Sequence, residues 1–207
     1  MLAILGAGGH GKVVADCAAA AGWTEIGFFD DSVAAGTHVA SRWAVMGTSA
    51  DMLARAREFG GAIVAIGDNR TRLAWHERLA TAGAKMATVT HPSAIIGADV
   101  TIGDGSVLVA GAIVNIATTI GKSAIVNTGA TIDHDCRLGD GVHVSPGANI
   151  AGGVSIGAGS WIGIGAAVIG RIDIGSYVRV GAGAVVIKSV ADGLTVVGNP
   201  AHPIERN

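Results

Sequence analysis

Large rings are scarce in this chain: aromatic residues make up 4% of its 207 positions. A core built on aromatic packing is excluded, and because half the residues are hydrophobic, the interior must be filled by Ile, Val and Ala. Cysteine is scarcer still. Two residues far apart in sequence, Cys17 and Cys136, cannot build a disulfide framework, and they point to a reducing cytoplasm. Charge is thin and nearly balanced, 14 Lys and Arg against 16 Asp and Glu, for a net charge of −2. With no basic block or stripe to neutralise a phosphate backbone, nucleic acid is not an expected partner. Apolar runs are broken by Gly or a polar residue every few positions. None approaches the roughly 20 residues of a membrane span, so no membrane partner is expected either. The opening Met1-Leu2-Ala3-Ile4-Leu5 has no basic segment and runs at once into Gly6, which reads as a strand and not a leader.

What the sequence does have is glycine, 33 residues of it, distributed according to two different rules. Up to about residue 92, short apolar runs alternate with helix-like segments. Leu2 to Leu5 reads as a strand, Gly6 to Gly11 as a turn, and Lys12 to Ala21 as a helix. A strand at Glu25 to Phe29 ends in Asp30-Asp31, a helix over Ala50 to Phe59 is opened by Thr48 and Ser49, and a strand Ala62 to Ile66 precedes a helix Asn69 to Ala82. Three or four parallel strands with crossover helices make a small Rossmann-like α/β domain over residues 1–92.

From Ile96 the period becomes six. Ile96, Ile102, Leu108, Val114, Ile120, Val126, Ile132, Leu138, Val144, Ile150, Ile156, Ile162, Val168, Ile174, Val180 and Val186 keep one register without a slip. Four places after each lies a mostly small or β-branched residue such as Ala112, Thr118 or Cys136, and the second place is often Gly. Neither a strand of period two nor a helix of period 3.6 gives this pattern; it is the hexapeptide signature of a parallel β-helix over residues 93–207. The aliphatic residue points inward, the small one fits where the chain bends, and the second-place Gly is expected to supply unusual φ at a corner. Three hexads make a triangular turn. Its open ends need caps, supplied by the α/β domain and by the polar tail from Asp192 to Asn207, and a triangular prism packs naturally as a homotrimer.

Three motifs stand out: Gly6-Ala7-Gly8-Gly9-His10-Gly11-Lys12 with Asp30-Asp31; Asn127 to Cys136 (NTGATIDHDC) with His143 to Ala148; and the ending Gly198-Asn199-Pro200-Ala201. Together, and over nearly the whole length, they resemble the bacterial sugar acyltransferases of the sialic acid O-acetyltransferase and nucleotide-4-amino-sugar N-acetyltransferase family. The resemblance implies left-handed coiling and acetyl-CoA as co-substrate; no metal is expected, because a zinc site needs three converging histidines and only His134 and His143 lie within the coils.

His134, between Asp133 and Asp135, is the sharpest chemical feature. Acyl transfer from a thioester needs a group that accepts a proton near neutral pH, and a neighbouring carboxylate can raise and orient an imidazole. The hexad frame puts His134 and Asp135 at an exposed corner. By resemblance His134 is the general base and Asp135, where many members carry Glu, its carboxylate partner. Asn127 matches an amino-sugar contact, or else a plain turn residue. His143, at an outward place half a coil on, matches a contact to the acetyl thioester; on the sequence alone it is a solvent-facing histidine.

The glycine turn follows a strand and opens a helix, where backbone N–H groups suit a phosphate. Resemblance places nucleotide-sugar contacts at Gly8, Gly9, His10, Gly11, Asp30, Asp31, Gly67 and Asp68. The acidic pair is followed by Ser32-Val33 and not by the basic residue of some relatives, which leaves the base open among uridine, guanosine and thymidine. Coenzyme A is expected along a groove between prisms, tracking Gly152, Gly153, Gly170 and Ala182, with Asn199 and Pro200 at its adenine end. Cys136 takes the inward place and belongs to the core, which argues against a covalent acyl-cysteine. The expected reaction is acetyl transfer to the 4-amino group of a nucleotide-linked sugar, with a backbone N–H of a neighbouring chain at the oxyanion. Rivals are O-acetylation of a sialic acid or other sugar, a trimeric zinc enzyme of the carbonic anhydrase type, and a non-catalytic sugar-nucleotide scaffold.

Overall fold

The computed structural model describes residues 1–204. The N-terminal part alternates β1 (Leu2–Leu5), α1 (Gly9–Ala20), β2 (Ile26–Phe29), β3 (His38–Val39), β4 (Trp43–Gly47), α2 (Ser49–Ala54), β5 (Gly61–Val64) and α3 (Asn69–Thr81). The sheet order is β3-β4-β2-β1-β5, parallel throughout except for β3, which pairs antiparallel with β4. The hairpin of β3 and β4 was not expected from the sequence. Helix α1 begins inside the glycine motif, with Gly8 as its N-cap, three residues before the expected start. Helix α2 is opened by a capping box in which Thr48 Oγ1 accepts from Asp51 N–H and Asp51 returns a carboxylate to Thr48 N–H.

The parallel coil starts with Val89–Thr90 and winds through three faces, the left-handed β-helix expected. The first face stacks Val89–Thr90, Val107–Leu108, Ile125–Val126, His143–Val144, Trp161–Ile162, Arg179–Val180 and Thr195–Val197. The second carries Ile95–Ile96 through Val185–Val186, and the third Thr101–Ile102 through Asp173–Ile174. From Leu108 to Val186 the aliphatic places are buried and form one continuous column with the small residues at the bends, Cys136 among them.

Two expectations need correction. The second-place glycines do not carry the unusual φ. Positive φ falls on the fourth place of the hexad, at Gly129, Gly147 and Gly165 but also at Asp99, Ser123, Asp135 and Tyr177. The second place needs glycine for a different reason: a Cβ at Gly103 would sit 2.4 Å from the backbone N of Lys122 in the next coil. The tail, too, is more than a polar cap. Thr195–Val197 continues the first face, and His202–Ile204 folds back antiparallel on it; residues 205–207 of the tail lie outside the described residues.

Helix α1 lies across the first face. Val14, Ala15, Cys17 and Ala18 share a core with Val107, Val109 and Ile125, and the Cys17 thiol donates to Leu108 O at 3.5 Å. The C-terminal edge of the small sheet is thereby held over the coil at His143.

Candidate active site

His134 sits at the corner between the second and third faces. Asp135 adopts left-handed backbone, φ 59°, which a short polar side chain tolerates. From there its carboxylate reaches His134 Nδ1 at 2.7 Å, so the shorter side chain spans the gap. A carboxylate only accepts, so Nδ1 carries the proton and the neutral ring keeps its lone pair on Nε2. Nε2 lies above Gly152 in the next coil, 2.6 Å from where a Cβ would stand. Asp133 completes the corner, its Oδ1 accepting from His134 N–H and from Asn115 Nδ2. The hydrogen bond that His134 Nδ1–H donates to Asp135, then the charge of Asp133, raise the His134 imidazole above its ordinary value.

His143 occupies a different environment. It is 7% exposed, covered by the α/β domain, which corrects the expectation of a solvent-facing histidine: its place in the hexad points outward, but outward on this face means into α1. The ring stacks on Trp161 with centroids 4.7 Å apart and stands 6.4 Å from His10. Asn127 fixes its tautomer. Thr128 N–H donates to Asn127 Oδ1, which turns Asn127 Nδ2 toward His143 Nε2 at 3.2 Å. Nε2 therefore accepts, and the proton sits on Nδ1, which is buried without a partner among the described residues. Burial, then the charges of Arg72 and His10, push the imidazole down to about 3. His10 Nε2 is likewise buried and unpartnered, and burial with the charge of Arg72 lowers that imidazole to about 4.

The glycine cradle divides by role. At Gly6 and Gly11 a Cβ would strike Ala65 O and Gly6 O, so packing accounts for both glycines, whereas Gly8, Gly9 and Gly67 face open space. Asp30 accepts from Ala7 N–H and steadies the turn. Asp31 accepts from Ser49 N–H and Oγ–H, and Asp68 caps α3 by accepting from Thr71 N–H.

Beyond α1 the first face opens into a groove of about 440 Å³ lined by His143, Ser145, Pro146, Trp161, Ile164 and Ala182, among others, and reaching Thr195. Asn199 and Pro200 follow the strand at its far end. Within one chain His10, Asn127 and His143 come together and His134 does not. Gly152, Gly153 and Gly170 share the His134 corner, while Ala182 lies across the second face at the other edge, so these four do not form one track along a single prism.

Residues 1–79 match the PglD N-terminal domain family model. Among solved structures, the acetyltransferase domain of PglB from Neisseria gonorrhoeae FA1090 in complex with acetyl coenzyme A is 44% identical, with 98% of each chain covered and a TM-score of 0.94. An asparagine-for-histidine mutant of perosamine N-acetyltransferase from Caulobacter crescentus, in complex with CoA and GDP-perosamine, is 37% identical over 99% of this chain and 97% of that one, TM-score 0.93. WeeI from Acinetobacter baumannii AYE is 30% identical over 99% of each chain, TM-score 0.90. A comparison with curated protein sequences finds no match. The chain belongs to this family of hexapeptide-repeat sugar acetyltransferases.

Three residues of this sugar acetyltransferase escaped the sequence reading. Trp161, whose Nε1 donates to Ser145 Oγ at 2.6 Å, forms the groove wall beside His143, and its hexad place directly above His143 was the available signal. Asn69 and Arg72 join the two domains, and nothing in their spacing marks them. Among the described residues no group of His, Cys, Asp or Glu is placed to hold a metal ion, and no helix is long and apolar enough to cross a membrane.

Proposed function

We propose that this protein transfers acetyl from acetyl-CoA directly to the 4-amino group of a nucleotide-linked amino sugar, working as a cytoplasmic homotrimer. The observation that carries this reading is the His134 corner: an exposed imidazole with Nδ1 tied to a carboxylate and Nε2 left free. Cys136 beside it offers no nucleophile, being buried, donating to Ala151 O, and pushed up by burial.

The nucleotide-sugar cradle is Gly8, Gly9, His10 and Gly67 with Asp30 at the turn, and Asn127 stands behind His143 on the sugar side. The first-face groove takes the pantetheine, with His143 Nδ1–H as donor to the thioester carbonyl and Asn199-Pro200 at the adenine end. A neighbouring copy presents its His134 corner, with Gly152, Gly153 and Gly170, to that groove. Supporting this packing, exposed Ile116, Ile169 and Ile187 line one edge of the second face and Ile164 the other, so apolar ridges flank the face that would turn to the threefold axis.

In the reaction the amine nitrogen bonds the acetyl carbon while Nε2 takes the amine proton; the carbon–sulfur bond breaks, and the imidazolium returns that proton to the leaving thiolate. The test is free-thiol release from acetyl-CoA with UDP-, GDP- and dTDP-linked 4-amino-sugars and their 4-hydroxy analogues. One amine should turn over and its hydroxyl analogue should not. Turnover of the hydroxyl alone reassigns the enzyme to O-acetylation, and thiol release with none of them removes the proposal.

A further inference from the structure

Arg72 is 1% exposed and lies where the two domains meet. All five of its N–H groups have acceptors. Nε donates to Ser123 O at 2.8 Å, Nη1 to Ile66 O and Gly67 O at 3.0 and 3.1 Å, and Nη2 to Asn69 Oδ1 and Gly141 O, both at 2.8 Å. None of these acceptors is a carboxylate; the buried charge is met directly by carbonyl and amide dipoles, and the Asp68 carboxylate acts on it only through space. Asn69 carries the joint one coil further, its Nδ2 donating to Gly159 O and Ser160 O.

Apolar side chains of similar volume would hold two domains together without the desolvation cost of a buried cation. What a guanidinium adds is direction, five donors in a rigid planar fork that no lysine reproduces. Here the fork binds three pieces of chain that share no secondary structure: the Ile66-Gly67 loop after β5, the first turn of α3, and two successive coils. That loop borders the open side of the glycine cradle, and Gly67 has nothing within 4 Å of its Cβ position.

We propose that Arg72 is a positioning residue that sets the Gly67–Asp68 loop, and with it the nucleotide-sugar cradle, at a fixed distance from the His143 groove on the coil. The inference rests on the reading that a nucleotide sugar occupies the cradle. Its charge stands behind both buried imidazoles of that region, since His10 and His143 are each depressed by it after burial.

The test uses the full chain with Arg72→Lys, which keeps the charge and loses the fork, and Asn69→Ala, which loses one acceptor of the guanidinium and the two Nδ2 bonds to the coil but leaves the guanidinium itself in place. Hydrogen–deuterium exchange should show the amides that close the two ends of the loop, Ala65 N–H on Leu5 O and the Thr71 and Arg72 N–H groups on Asp68, opening at least tenfold faster in Arg72→Lys, with the coil unchanged, and a smaller change of the same kind in Asn69→Ala. KM for the nucleotide sugar should rise about tenfold while the Kd of CoA, by calorimetry, moves less than twofold. Unchanged loop exchange in the folded variants overturns the proposal, as does an equal weakening toward both substrates, which would mark general loosening. A wild-type protein that binds no nucleotide sugar removes the functional reading instead, and loop exchange still decides whether Arg72 positions the loop.

Discussion

Two histidines half a coil apart have opposite proton affinities. His134 stands at a corner, its side chain 54% exposed, between two carboxylates that raise it. His143 stands on a flat face under α1, stacked on Trp161 and depressed to about 3. Both keep the proton on Nδ1, yet in one ring the exposed atom is the basic Nε2 and in the other the unpartnered group is the Nδ1–H donor. The repeat makes both residues point outward; what lies outside decides whether the ring is a base or a donor. A corner remains open to solvent and to a second chain, while a flat face can be roofed by another domain.

The largest expected effect is on the base. Replacing His134 by Ala should lower kcat by about 10² to 10⁴-fold with KM for either substrate little changed, and steady-state thiol release measures it. Near-normal turnover would leave the contrast between the two rings without chemical meaning. A second way to sharpen it is Gly152→Ala. The added methyl would stand 2.6 Å from Nε2, so the ring must swing aside. A misplacement of about 1 Å costs on the order of 10²-fold, and the loss should vanish in a His134→Ala background because both changes act on one group. Fully additive losses would show instead that Gly152 matters for a different contact.

Asp135→Asn gives a smaller change and a clearer signature. The neutral imidazole is the active form, so kcat/KM falls as pH drops through the raised value. Removing the carboxylate that does most to raise it should move that acidic limb to lower pH and lower the plateau about tenfold. A limb that stays in place would assign the shift to Asp133.

The hexad register made the coil readable because each place in it has one steric duty: Val126 and Ile132 fill the column, Cys136 fits the bend. The His134-Asp135 corner was readable for the same reason. The cover over His143 was not, since the repeat states which way a side chain points and nothing about a domain folded over it. Positive φ was misplaced because composition mixes two requirements, glycine for close approach at the second place and a tolerant residue, as varied as Asp135 and Tyr177, at the fourth. The joint was hidden for a third reason. Helix α3 buries Asn69, Arg72, His76 and Leu79, a face with helical spacing and almost no apolar residue, so hydrophobic periodicity is silent there.

The smallest expected signal is one that does not move. In a proton NMR titration from pH 8 to about 5, the His134 ring resonances should shift with a midpoint above 6.5, while those of His143 stay fixed. The same difference has a consequence for stability. His143 and His10 are held near 3 and 4 in the folded chain and return to about 6.5 on unfolding, so below 6.5 the unfolded state takes up more protons. Their contribution is whole at neutral pH and drains away as pH falls from 6.5 toward those folded values. The urea midpoint should therefore decline across that window, and His143→Gln, which offers Asn127 an acceptor that does not titrate, should flatten the decline. A His143 resonance that titrates near 6.5, or a decline unaltered by His143→Gln, would mean that the face under α1 is as open to water as the corner.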